Sequence, residues 1–382
     1  MSASSAEWSG GGFNPQNFTF MKYKIEISLA EDSKIVKTLI SPYYMSNGKS
    51  DMVTFSSKSI TIEAERGRAY TEDDIFKNVQ NSLYNQTFKT LLYHYSVNGA
   101  NAAITRIRVT ITAQGKQSTL ATREFTAAEQ PLPVAAPQIL LDPTSLELLM
   151  DETDDAYNLR LTMVHWLSAM AESDKKNRME CLWRAFERIC IYRRHRNRDE
   201  IPYVSKALLG MVNELKMNSA RYPLAMSLAS RMTYADLRRL MWHDLIMGTY
   251  KNRFDLTDNR ERAKFKRKFV DDFISQFNDA RVVTLLFDTL TYMESELTAI
   301  GEYSNVEAAL KSKISANVTR DADVLALMAC HYAYFLRIRL FHGHSLVKCS
   351  IFDKQSDKMG VGVTAQILET LVAELINNFG SL

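Results

Sequence analysis

At Glu129-Gln-Pro-Leu-Pro-Val-Ala-Ala-Pro137 the hydrophobic period of this chain changes, and that change constrains the fold more than any other feature. Before it, apolar residues recur every second position: Tyr23, Ile25, Ile27 and Leu29; Ile60, Ile62 and Ala64; Ile107, Val109, Ile111 and Ala113. Such alternation places one face of a strand in a core and the other in water. Gln114-Gly115-Lys116 predicts a hairpin into a strand near Leu120 to Phe125. Between the second and third strands, Thr71-Glu-Asp-Asp74 supplies a cap and first-turn acids for one long helix carrying Ile75, Val79, Leu83, Leu91 and Tyr95. A small, mainly antiparallel sheet with one long helix is the simplest assembly, an α+β domain. A doubly wound nucleotide-binding fold is not expected, because the sequence has neither a glycine-rich strand-to-helix turn nor alternating helix and strand segments.

The prolines of the 129–145 stretch remove backbone donors and favour extended chain, so this segment reads as a linker. Residues 1–17, with Gly10-Gly11-Gly12, read as a flexible tail, 18–128 as the α+β domain and 146–382 as an all-α domain. Amphipathic segments follow one another near 156–171, 176–194, 204–217, 223–247, 261–278, 281–298, 321–340 and 363–378. The last shows the pattern most plainly: Ile367, Leu368, Leu371, Val372, Leu375 and Ile376 form one stripe, with Gly380 as a C-terminal stop.

Lys and Arg number 47 against 44 Asp and Glu, a net charge of +3, so any contact with nucleic acid has to be local. Cys181, Cys190, Cys330 and Cys349 lack the close pairing of a structural zinc site and read as buried thiols in a reducing compartment. No basic and apolar leader opens the sequence and no apolar run is long enough to span a bilayer, so a cytoplasmic protein without membrane contact is expected. The sequons at Asn17, Asn85 and Asn317 are then chance matches.

Chemistry concentrates in Tyr334-Phe-Leu-Arg-Ile-Arg-Leu-Phe-His-Gly343, at the end of the 321–340 helix. Arg337, Arg339, His342 and His344 bring two arginines and two histidines into eight residues. This segment resembles the signature of the HEPN superfamily, whose nuclease members carry Arg, four to six residues of any kind, then His. Arg337 and His342 fit with four residues between them, and Tyr334, Phe341 and Gly343 resemble the flanks seen in the subgroup found in bacterial phage-defence proteins. Upstream, Leu182-Trp183-Arg184-Ala185-Phe186-Glu187 looks like the family's long helix with its glutamate. Ile338 departs from the pattern, because catalytic members commonly place a small polar residue there.

The resemblance implies an all-α, HEPN-like bundle and a metal-independent endoribonuclease of defence or toxin type, with no cofactor. A histidine titrating at ~6.5 can take or give a proton near neutrality, which suits His342 as acid and base for attack by a ribose 2′-hydroxyl. A planar guanidinium can donate two hydrogen bonds to the phosphoryl oxygens, the role implied for Arg337. Arg339, His344, Tyr334 and Glu187 would support them. At about 100° per residue Arg337 and His342 point roughly 140° apart. Either the helix stops between them or two chains complete one site, and the family implies a homodimer.

The basic runs Arg193-Arg-His-Arg-Asn-Arg198 and Arg260-Glu-Arg-Ala-Lys-Phe-Lys-Arg-Lys268 offer RNA contacts through Arg193, Arg194, Arg196, Arg198, Lys264, Lys266, Arg267 and Lys268. Solvated helix surfaces explain these runs equally well. His342 and His344 lack third and fourth metal ligands nearby, so no metal site is expected. His165, His243 and His331 read as core histidines, Asp154-Asp155 and Asp271-Asp272 as helix-start charges, and Arg106 and Arg108 as solvent-facing strand residues. The first domain would sense a trigger or bind a partner. Two alternatives stand beside the nuclease: a non-catalytic HEPN-like scaffold for dimerisation or for nucleotide or RNA binding, and a structural or assembly protein with an unrelated helical bundle.

Overall fold

The computed structural model describes residues 20–43, 48–137, 139–198, 204–240, 242, 245, 259–341 and 360–382. The chain divides into two units. The first comprises the described part of Met1–Leu91 with Asn101–Pro131 and Met150–Glu152, and the second comprises Leu92–Ala100, Leu132–Leu149 and the described part of Thr153–Leu382.

The first unit is built on a six-stranded antiparallel sheet: β1 Met21–Leu29, β2 Lys37–Pro42, β3 Ser50–Phe55, β4 Ser59–Arg66, β5 Ile104–Ala113 and β6 Lys116–Glu124, in the order β2-β3-β4-β1-β5-β6. The inward residues of β1 and β4 are the alternating ones, Tyr23, Ile25, Ile27, Leu29, Ile60, Ile62 and Ala64, all buried. In β5 Ile107 and Val109 are buried and Ile111, opposite Tyr23, is half-buried; the bulge lies on β6, where Leu120 is left unmatched between Thr119 and Ala121, and Thr110 is buried on the other face, opposite Lys24. Arg106 and Arg108 are exposed, as their strand positions predict. Gln114 at φ 51° and Gly115 at φ 76° make the two-residue turn that joins β5 to β6.

Strands β2 and β3 have no period-two signature, for a physical reason. Val53 and Phe55 of β3 are buried, but the inward set is interrupted by the polar Ser41 and Asp51, while the apolar Ile40 is 76% exposed. Asp51 receives both Arg66 guanidinium nitrogens at 2.7 and 2.6 Å, and Ser41 donates to the Met150 carbonyl at 2.6 Å. Lys89, also buried, donates to the carbonyls of Pro42 and Met150 and to Glu152. One end of this inner face is therefore a satisfied polar network.

The expected single helix is two: α1 Glu72–Phe76, with its capping box between Thr71 and Asp74, and α2 Ser82–Asn98. Asn78 and Asn81 break the run, since Asn78 accepts from Gln80 N and Asn81 accepts from Leu83 N to start α2. Val79 falls in the break and is exposed.

The second unit is largely helical: α3 Pro143–Leu146, α4 Asp154–Ala171, α5 Lys175–Arg198, α6 Val204–Met217, α7 Pro223–Arg231, α8 Tyr234–Arg238, α9 Asn259–Gln276, α10 Ala280–Asp288, α11 Glu294–Ala299, α12 Tyr303–Ser315 and α14 Val361–Asn377. Helix α13 is one run made of Asp321–Ala326, a π turn at Leu327–Tyr332 and Ala333–Phe341. The expected 223–247 segment breaks at Thr233, whose capping box with Asp236 restarts the chain as α8. The 281–298 segment breaks at Thr289, and α12 was not foreseen. Among the described residues no helix is long and apolar enough to cross a membrane.

Helix α5 packs against α4, α6, α14 and the last part of α13. It buries Met179, Leu182, Trp183, Phe186, Ile189 and Cys190, the i, i+3, i+4 stripe of a core-facing helix. Truncating an aromatic of that size costs about 3–5 kcal/mol. The foreseen apolar stripe of α14 is buried, together with two carboxylates, Glu374 with both oxygens bonded and Glu369 with Oε2 bonded and Oε1 without a partner among the described residues. Glu369 receives Arg178 at 2.6 Å, and Glu374 accepts from Leu224 N at 2.7 Å and Ala225 N at 3.0 Å, capping α7 from a distant helix. Gly99, at φ 58°, follows α2 where a Cβ would meet Pro137 Cδ at 3.0 Å and the Ala135 carbonyl at 3.2 Å. Glycine is required there by conformation and by space.

Candidate functional site

Helix α13 carries Arg337, and its start is fixed by charge. Asp323 is buried and accepts from Asn278 N at 2.6 Å, with Lys216 Nζ at 3.3 Å. Asp279 accepts from Arg320 N, and Arg281 bridges Asp279 and Asp321. The π turn follows. It adds a residue to the local turn and so resets the rotation of everything after it, including Arg337.

Beyond the π turn, α13 lies along α5. The rings of Tyr334 and Trp183 are 5.7 Å apart, which sets Arg337 beside the acidic positions of α5. Arg337 Nε is 4.0 Å from Glu180 Oε2, with the arginine side chain 32% exposed and the glutamate 10%. Arg184 Nε donates to the other Glu180 oxygen at 2.9 Å. Among the described residues, neither Arg337 Nε nor Glu180 Oε2 has a hydrogen-bond partner. Burial pushes the Glu187 carboxyl above its usual range against the pull of Arg337; Glu180 adds to the rise, and Trp183 and Arg184 oppose it. Arg339 lies over the Phe335 ring at 5.2 Å.

His165 of α4 belongs to the same cluster. Burial lowers its pKa, the charges of Arg184 and Arg188 lower it further, and Glu180 opposes them, so its imidazole is surrounded by α5's polar face rather than by a purely apolar core. The imidazole is neutral at pH 7. His331, within the π turn, has its pKa lowered to about 4 by burial, with its ring edge-on to Phe277 at 5.3 Å. Burial likewise raises the thiols of Cys181, Cys190 and Cys330, which are free and unreactive as placed.

The expected site residues therefore separate. Arg337, Tyr334 and Glu187 come together with Trp183, and Arg339 lies one turn or less away on α13. His342, Gly343 and His344 lie outside the described residues, as do His243, Cys349 and the Arg198 side chain. In the first basic run, Arg193 donates to Glu214 at 2.6 Å and to the Gly210 carbonyl, Arg196 is 3.8 Å from Asp155, and Arg194 is half-buried. In the second, Lys266 pairs with Glu296 and Arg267 bridges Asp271 and Glu302, while Lys264 and Lys268 are exposed. Asp154 and Asp155 occupy the first turn of α4. Asp271 and Asp272 instead lie inside α9, where Asp271 answers Arg267 from one turn earlier. No group of three or more His, Cys, Asp or Glu among the described residues could hold a metal ion.

The sequence pattern assigned no site role to Glu180, Arg184 or Arg188 and read His165 as a core histidine, whereas it is half-buried against the polar face of α5. The signal for the first two was present, since positions 180, 184 and 187 share one helical face. For His165 it required the hairpin: α4 and α5 are joined by the short 172–174 connection, which sets position 165 level with about 181. No family model, no curated protein and no solved structure matches this chain.

Proposed function

We propose that the helical unit is a metal-independent endoribonuclease of defence or toxin type, with Arg337 as the group that stabilises the phosphoryl transition state and His342 as the proton carrier. The observation that carries this reading is the environment of Arg337. Its side chain is one-third exposed, with Nε buried and unpartnered, and is flanked by Glu180 and by the Tyr334–Trp183 pair, with four residues between it and His342. The in-plane N–H groups along the edge of a guanidinium can donate two hydrogen bonds to phosphoryl oxygens. In the reaction, the ribose 2′-oxygen loses its proton and attacks phosphorus, the bond to the 5′-oxygen breaks, and that oxygen gains a proton. Arg339 and His344 would assist, Glu187 and Glu180 would hold Arg337, and a homodimer would complete the site. The unit that carries the sheet would hold a trigger or partner and restrain the activity.

A second reading, a non-catalytic HEPN-like scaffold that binds nucleotide or RNA, is favoured by the nearness of Glu180 to Arg337 and by Ile338, which adds no donor. Expression toxicity separates the two. Wild type should arrest growth and Arg337→Ala and His342→Ala should not; equal growth of all three, with a stable dimer in solution, favours the scaffold.

A further inference from the structure

We propose that the seam between α4 and α5 is a binding track for single-stranded RNA, formed by Tyr157, His165, Arg184 and Arg188 and leading to Arg337. It rests on the ribonuclease reading for the choice of RNA as ligand and for nothing else.

Three observations carry it. First, the seam collects cationic and aromatic groups, of which Tyr157 and Arg184 are exposed and Arg188 and His165 half-buried. Tyr157 is 53% exposed, the Arg184 side chain is 55% exposed, and the Arg188 guanidinium lies 6.0 Å from the centre of the Tyr157 ring. Positions 157, 161 and 165 are four apart on α4, and 184 and 188 are four apart on α5, so each set lies along one helical face. Second, the charges there are less committed than those of Arg193, Lys266 and Arg267 in the basic runs. Among the described residues Arg188 Nε has no hydrogen-bond partner, and Arg184 makes its ion pair within its own helix. Arg193, Lys266 and Arg267 instead meet carboxylates of other helices. Third, the seam ends at the candidate site, because Glu180 touches both Arg184 and Arg337.

The dimensions suit the ligand. Eight residues from Tyr157 to His165 rise about 12 Å, close to three stacked nucleotides at ~3.4 Å per step. Tyr157 offers a ring for base stacking, Arg184 and Arg188 offer phosphate contacts one turn apart, and neutral His165, level with about 181, can donate or accept a hydrogen bond beyond Arg184.

The test is fluorescence anisotropy of the full chain with a short fluorescein-labelled 2′-O-methyl RNA, which the proposed reaction cannot cut. Replacing Arg184 and Arg188 together by Ala should weaken binding at least tenfold and reduce the slope of log K against log salt by about 1.4, two contacts at ~0.7 each. Arg184→Lys with Arg188→Lys should keep most of the slope. Tyr157→Ala should weaken binding roughly 5- to 150-fold, the effect of losing one stacked base, while leaving the slope unchanged, and Tyr157→Phe should bind like wild type. Arg238→Ala with Arg239→Ala, whose side chains are 70% and 80% exposed at the end of α8 and belong to neither basic run, serves as the control and should change little. Unaltered affinity and slope in the double Arg variant, or no binding by wild type, overturns the track. Cleavage of ordinary RNA by that same double variant at the wild-type rate would leave the nuclease standing without the track, whereas track-dependent binding with no cleavage would do the reverse.

Discussion

His331 makes the account quantitative, because it titrates inside the helix that carries Arg337. Its pKa is lowered from 6.5 to about 4 by desolvation, beside Phe277 and within the π turn. The folded chain therefore resists protonation where the unfolded chain accepts it. From pH 6.5 down to about 4 the unfolded state binds the additional proton, and stability falls as pH falls through this window. The loss from this group is about 2 kcal/mol by pH 5 and about 3 kcal/mol by pH 4, since each pKa unit corresponds to about 1.4 kcal/mol. His331→Phe removes the titration and keeps an aromatic ring against Phe277. Urea unfolding of both proteins at pH 7, 5 and 4, followed by circular dichroism, isolates the effect: the variant should gain about 3 kcal/mol relative to wild type between the first and last of these. Wild type and variant losing stability in parallel over that range would refute the claim that the π turn buries a neutral imidazole.

Two other perturbations address how the helical unit is held. Glu374→Ala removes the carboxylate that caps α7 at Leu224 N and Ala225 N, and should cost about 2–3 kcal/mol in chemical unfolding, because two buried amides lose a charged acceptor; a loss below 0.5 kcal/mol, within ordinary surface effects, would show that water replaces it. Gly99→Ala forces a side chain into left-handed backbone against Pro137 and should destabilise by at least about 1 kcal/mol, read as a lower melting temperature, whereas an unchanged melting point would contradict the close approach.

Much of the architecture was legible because it follows from period. The strands with Ile25 and Ile27, Ile60 and Ile62, and Ile107 and Val109 announced themselves by alternation, and α14 by its stripe. Where period fails, so does the reading. Strands β2 and β3 put Ser41 and Asp51 inward because Met150, Gln86 and Arg66 satisfy them, partners that lie far away in sequence. Asn78 and Asn81 break a helix whose apolar spacing gives no sign of it. The π turn is invisible for a similar reason, since Leu327, Met328, Ala329, Cys330 and Tyr332 are all buried, and no position marks the extra residue. At the candidate site, Arg337, Tyr334 and Glu187 could be named from local sequence, but the placing of Glu180 against Arg337 depends on how α13 lies along α5. The basic runs looked alike in composition; Glu214, Glu296 and Glu302, each distant in sequence, distinguish their committed cations from Lys264 and Lys268.

The central claim, that Arg337 and His342 cleave RNA through the ribose 2′-oxygen, is tested most directly by the chemistry of the ends produced. Purified wild-type protein, incubated in EDTA with an end-labelled RNA and with the same RNA carrying a single 2′-deoxy residue at the cleaved position, should cut the first to leave a 2′,3′-cyclic phosphate and leave the second intact. Both Arg337→Ala and His342→Ala should leave both substrates whole. Cleavage of the 2′-deoxy substrate, products ending in a 3′-hydroxyl, or equal cutting by all three proteins would contradict the account.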